Sequence, residues 1–101
     1  MEFTCTTEQR VQIGLAPMTA TQETAAMDRP PEISVGTGDG TFRRVDERSY
    51  WLIPGELEGD TEYEILAMSK GRIVREIVTL HVVNPSAATL GVTSLGTYLK
   101  E

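Results

Sequence analysis

Glu76-Ile77-Val78-Thr79-Leu80-His81-Val82-Val83 is the stretch that decides the fold. Val78, Leu80 and Val82 fall on one side of an extended chain, while Ile77, Thr79, His81 and Val83 fall on the other. A period of two belongs to a strand, because successive side chains of extended backbone point to opposite faces. Working back, Ser69-Lys70-Gly71-Arg72 reads as a hairpin turn leading through Ile73 and Val74 into this strand. Before the turn, Tyr63, Ile65 and Ala67 alternate with Glu62, Glu64 and Leu66, a strand whose acidic side lies in water for most of its length. Forward, Asn84-Pro85-Ser86 makes a turn, and a further short apolar stretch runs to Val92.

The rest of the chain repeats this rhythm. Val11, Ile13 and Leu15 alternate with Arg10, Gln12 and Gly14 in a half-buried strand that stops at Pro17. Three threonines lower the helical propensity of residues 19–27, which read as an irregular crossover. Pro30 and Pro31 then force extended backbone, and Ile33 and Val35 follow as the inward residues of a short strand. Gly36-Thr37-Gly38-Asp39-Gly40 is a tight loop, and Thr41–Val45 returns as a strand anchored by Phe42. Tyr50-Trp51-Leu52-Ile53 is the densest apolar run, with Trp51 expected at the centre of the core; Pro54-Gly55 ends it. Seven or eight short strands at this spacing imply an all-β sandwich or barrel.

The totals fit one domain, residues 1–101, of which 40% are hydrophobic. Such a chain buries roughly two thirds of its unfolded surface and folds alone with limited margin. Fifteen acidic and nine basic residues leave a net charge of -6, which disfavours nucleic acid as a partner, since phosphate binding needs a basic footprint. Cys5 is the sole cysteine, so no internal disulfide and no multi-cysteine metal site is expected. No apolar run approaches the ~18 residues that would span a bilayer, and no membrane partner is expected. Met1-Glu2-Phe3 lacks the positive start of a signal peptide, so the expectation is synthesis without a secretory address of its own.

A search for chemistry returns little. His81 is the single histidine, in mid-strand, and is read as structural rather than catalytic. Gly36, Gly38 and Gly40 have G-x-G-x-G spacing with a strand after them, whereas phosphate-cradling loops open a helix. Glu56, Glu58, Asp60, Glu62 and Glu64 alternate across a turn into a strand without the loop pattern that gathers oxygens around calcium. Pro85 spoils Asn84-Pro85-Ser86 as a glycosylation acceptor. Arg43, Arg44 and Arg48 form the one basic cluster, read either as a contact patch or as edge protection. No catalytic, cofactor-binding or metal-ligating residue emerges, and the chain is expected not to be an enzyme.

Thr6-Thr7-Glu8-Gln9-Arg10-Val11, Met27-Asp28-Arg29-Pro30-Pro31-Glu32-Ile33-Ser34-Val35, residues 59–65, Val78–Val82 and residues 87–92 together resemble the small bacterial immunoglobulin-like domains, whose stand-alone copies occur among tailed-phage structural genes. Related modules often carry a Trp after the proline turn, where this chain has Ile33. The resemblance implies an immunoglobulin-like sandwich acting as a virion component: a capsid decoration (cement) protein on the outside of the shell, its partner the major capsid protein, with a homo-oligomer on the capsid as an option. Segments 1–7 and 93–101 would serve as contact arms, with Phe3, Arg43, Arg44, Tyr98 and Leu99 as candidate contact residues and no cofactor. The competing reading is an adhesive or carbohydrate-contacting surface module of a phage tail or bacterial envelope. It calls for an exposed aromatic platform that six aromatics hardly supply.

Overall fold

Alternating apolar and polar side chains run through most of the chain, and the backbone answers with strands alone. The computed structural model describes residues 1–86 and 89–100, with no helix among them. The strands are β1 (Glu2–Thr6), β2 (Val11–Gly14), β3 (Glu32–Thr37), β4 (Thr41–Arg44), β5 (Ser49–Ile53), β6 (Gly59–Ser69) and β7 (Arg72–Val83). They form two sheets, ordered β1-β7-β6-β3 and β2-β5-β4. Every pairing is antiparallel except β1 with β7, which is parallel.

The long β6–β7 hairpin is the spine of the larger sheet. Lys70 and Gly71 both take positive φ, 51° and 76°, as a two-residue hairpin turn requires. From that turn the register runs unbroken from Ser69↔Arg72 to Gly59↔Val82. Asp28 fixes the tip, accepting the N–H groups of Lys70 at 2.9 Å and Gly71 at 2.8 Å. Those two bonds hold its carboxyl below the usual carboxylate range.

The two sheets share one core. Ile13, Tyr50 and Leu52 of the smaller sheet meet Cys5, Tyr63, Ile65, Val78, Leu80 and Val82 of the larger one. The period-two reading of β6 and β7 is therefore met: Val78, Leu80 and Val82 are buried, as are Tyr63 and Ile65. Two phenols bridge the layers, Tyr63 Oη donating to the Thr41 carbonyl at 2.8 Å and Tyr50 Oη to that of Pro31 at 3.2 Å. Each buried tyrosine thus supplies apolar area and satisfies its own polar atom.

Trp51 is a correction. It is half-buried on the outer face of β5, beneath the Arg10 guanidinium, which lies 3.8 Å from the ring centroid. The alternation of β5 sends Tyr50 and Leu52 inward, so Trp51 must face out. Phe42 faces inward opposite Leu52 and stacks edge-on against Tyr50 at 6.4 Å. It nevertheless stays 38% exposed, because β4 is an edge strand.

Residues 19–27 contain no helix and close a compact loop, with Thr19 N–H donating to Glu23 O at 2.8 Å and Ala25 N–H to Pro17 O at 2.8 Å. The glycine loop packs on β6. Gly40 N–H donates to the buried Thr61 hydroxyl at 3.1 Å, and a Cβ on Gly38 would lie 2.5 Å from that same oxygen. Close approach to Thr61 is the reason for glycine there. Residues 89–92, expected to continue an apolar stretch after Pro85, form no strand; Ala87 and Ala88 lie outside the described residues.

Candidate functional site

The chain leaves β7 at Val83 and runs on without regular structure. Within this carboxy-terminal arm Leu90, Val92, Leu95, Tyr98 and Leu99 are 84–97% exposed. A compact domain of this length has a radius of gyration near 13 Å; here it is 19.8 Å, and the long axis reaches 77 Å. Isolated exposed apolar residues are ordinary; here five stand together on one short segment. Residues 89–99 also carry no charge, although charged residues are 24% of the chain. Nothing among the described residues covers these side chains.

The five candidate contact residues do not form one site. Tyr98 and Leu99 lie on the arm, 86% and 97% exposed. Phe3 belongs to β1, opposite Leu80, and packs against the core. Most of segment 1–7, expected as an arm, is that strand. Arg43 and Arg44 are adjacent on β4 and so point to opposite faces: Arg43 lies opposite Trp51 and Arg44 opposite Tyr50. Arg44 Nε donates to the Asp46 carbonyl at 3.0 Å, bracing its own turn. The outer face of the smaller sheet therefore carries Trp51 with Arg10 and Arg43 beside it, a cationic and aromatic patch of modest size.

One titratable cluster went unnoticed in the sequence. On the outer face of the larger sheet His81 lies between two carboxylates, Nδ1 at 2.7 Å from Asp60 Oδ1 and Nε2 at 3.2 Å from Glu2 Oε1. A neutral imidazole has a single N–H and can satisfy only one of them; the cation donates to both. The hydrogen bonds from Asp60 and then Glu2 accordingly raise the His81 pKa above its ordinary value. The signal was available: counting back pair by pair from the Ser69–Arg72 turn brings Asp60 opposite His81. The ring is spoken for on both nitrogens, and this arrangement ties β1 to β7 and β6. The two carboxylates lie on opposite sides of the ring, and among the described residues no three such side chains converge as a metal would need.

Arg75 pairs with Glu64 at 2.8 Å on the same outer face, which accounts for part of the acidic run as a cross-strand ion pair. Among the described residues no helix is long and apolar enough to cross a membrane. No protein-family model and no curated protein matches this chain.

Proposed function

We propose that this chain is a binding module that works by attachment, an immunoglobulin-like sandwich that docks on a larger protein assembly through its carboxy-terminal arm. Strand order supports the immunoglobulin-like part. Lettered in chain order, the smaller sheet is B-E-D and the larger contains C-F-G, the partition of a constant-type domain, with strand A moved to pair with G. The positions that a disulfide would link between strands B and F belong here to apolar side chains such as Ile13 and Ile65. Cys5 sits on strand A, buried.

The observation that carries the docking part is the arm, whose large apolar side chains have no cover in the isolated domain. Burying Leu90, Leu95 and Leu99 alone on a partner would yield several kcal/mol, at about 1.5–3 kcal/mol for each fully buried side chain. Part of that is lost to ordering the segment. The resemblance to phage immunoglobulin-like proteins supplies the assembly: the outside of a capsid shell, with the major capsid protein as partner. Stabilisation would follow by mass action, since a protein that binds only the closed shell shifts the equilibrium toward it.

Cosedimentation with shells of the encoding phage, stripped of decoration proteins, tests this reading. Saturable binding by the full chain, lost when residues 89–101 are removed while the circular-dichroism spectrum is kept, is the expected result. Binding to tails or to a glycan array, with none to shells, would replace it with the adhesive alternative.

A further inference from the structure

β7 is covered along only part of its outer side. β6 pairs with it from Arg72 to Val82, but β1 pairs only with Thr79–Val83. Met1 reaches one step further, its carbonyl accepting from Thr79 N–H at 2.9 Å and its amino group donating to the Ile77 carbonyl at 3.3 Å. These bonds show that the odd-numbered residues of β7 turn their main-chain groups toward the β1 side. By the period of two, Ile73 and Arg75 present N–H and C=O on that same side, and among the described residues no backbone group meets them.

This open half-edge is not a bare ladder. Beside it an open groove of about 930 Å³ lies between residues 17–26 and the end of the β6–β7 hairpin, with Met18, Ala25, Ile73 and Val74 among its walls. Met18, Ile73 and Val74 are 46–60% exposed. An unpaired edge next to a groove of mixed polarity that holds apolar side chains offers what an added strand requires: main-chain hydrogen bonds for affinity and room for alternate side chains.

The same chain carries a segment of that description. Thr89-Leu90-Gly91-Val92-Thr93 has its large side chains at alternate positions and, with the residues up to Leu99, no charge. The edge and groove set Lys70, Arg72 and Arg75 against Glu23 and Glu76, with Arg75 already paired to Glu64, so an uncharged strand meets no net repulsion there, and the arm brings no charge before Lys100. Its own arm is badly placed to fill its own edge. The arm departs at Val83, where β1 occupies the lane, and Glu76 lies seven residues back, roughly 23 Å along the strand.

We propose that Thr89–Thr93 in the arm of one copy adds as a strand to the Arg72–Glu76 edge of β7 in a second copy, with Leu90 and Val92 entering the groove beside Val74. This deepens the docking reading and rests on the arm as contact element: Leu90 and Val92 go to a second copy, and Leu95, Tyr98 and Leu99 are left for the shell. The joint is head-to-tail: each copy offers an arm and an edge, so copies chain or close into a ring. On a shell, neighbouring copies would be linked by joints that are individually weak and collectively strong.

Sedimentation of the purified full chain up to about 1 mM tests it without any shell. The parent associates with rising concentration. Leu90→Asp with Val92→Asp removes the donor. Ile73→Pro removes an N–H that faces the open side and leaves the β6 ladder intact, with Ile73→Lys as the second acceptor variant should proline impair folding. Each single-sided variant shows at least ~tenfold weaker self-association, with the parent's circular-dichroism spectrum. Mixing the donor-dead and acceptor-dead proteins restores one productive joint and gives a 1:1 dimer and nothing larger. A parent that stays monomeric throughout, folded variants that associate like the parent, or a mixture of folded variants that stays monomeric would each overturn the proposal. Shell binding that fails while this complementation succeeds would count against the docking partner and leave the self-association standing.

Discussion

Tyr63 offers the sharpest test of the two-layer architecture, because one side chain joins the layers in two separable ways. Its ring is fully buried, and its hydroxyl crosses to the Thr41 carbonyl at 2.8 Å. Tyr63→Phe deletes only the crossing bond, a net loss of about 0.5–1.5 kcal/mol. Tyr63→Ala also empties the space between the sheets, costing about 3–5 kcal/mol. With an unfolding entropy near 2.1 cal/mol/K per residue, 1 kcal/mol moves Tm by roughly 5 °C in a chain of this length. Thermal melts should therefore fall by about 3–7 °C for the phenylalanine variant and about 15–25 °C for alanine. Alkali gives a second reading. Burial first, with the Cys5 and Asp39 charges behind it, pushes the Tyr63 pKa up to about 12. The fold thus favours the neutral phenol, and this contribution is complete below the ordinary tyrosine value near 10 and disappears as pH climbs through about 12. Tyr63→Phe should flatten that alkaline decline. An alanine variant that melts within a few degrees of the parent would refute the placement of Tyr63 between the sheets.

Three further outcomes follow from particular contacts. His81 has a raised pKa through Asp60 and Glu2, so its tie to β1 is complete below the ordinary histidine value and is lost as pH rises through the higher folded one. Protection factors in Phe3–Thr6, which remove the base catalysis common to all amides, should fall across that window, and His81→Gln should abolish that fall. Cys5 is buried, which raises its thiol pKa; a disulfide reagent should modify it only on unfolding, and prompt reaction in native buffer would contradict its place in the core. Leu52→Ala should cost about 2–5 kcal/mol and Trp51→Ala less, because removing a half-exposed ring opens no internal cavity. Equal losses in urea unfolding would put Trp51 back inside.

The strands were legible wherever the alternation was unambiguous. Val78, Leu80 and Val82 against Thr79 and His81, and Tyr63 and Ile65 against Glu62 and Glu64, each announce both the strand and its inward face. Lys70-Gly71 announces the turn that sets their register. Tyr50-Trp51-Leu52-Ile53 announces a strand but not its phase, since four apolar residues in a row fit either face. Size then favoured Trp51, whereas pairing with β2 and β4 decides for Tyr50 and Leu52. The parallel lane of β1 was hidden for another reason. A short segment of mixed polarity gains its place from β7, far along the chain, and no local pattern records that partner. Residues 93–101 read as a contact arm and the stretch to Val92 as a separate apolar segment, and only the lack of a strand at residues 89–92 puts those residues beside the arm. That Arg43 and Arg44 cannot act on one face follows from the strand period alone.

Residue-resolved amide hydrogen exchange of the chain, dilute enough to be monomeric, tests the central claim most directly. The account predicts deep protection across Tyr63–Leu66 and Val78–Val82, where two sheets close over one core, and exchange at unprotected rates along residues 89–99. Uniform weak protection of β6 and β7, or an arm already protected in the lone monomer, would contradict it.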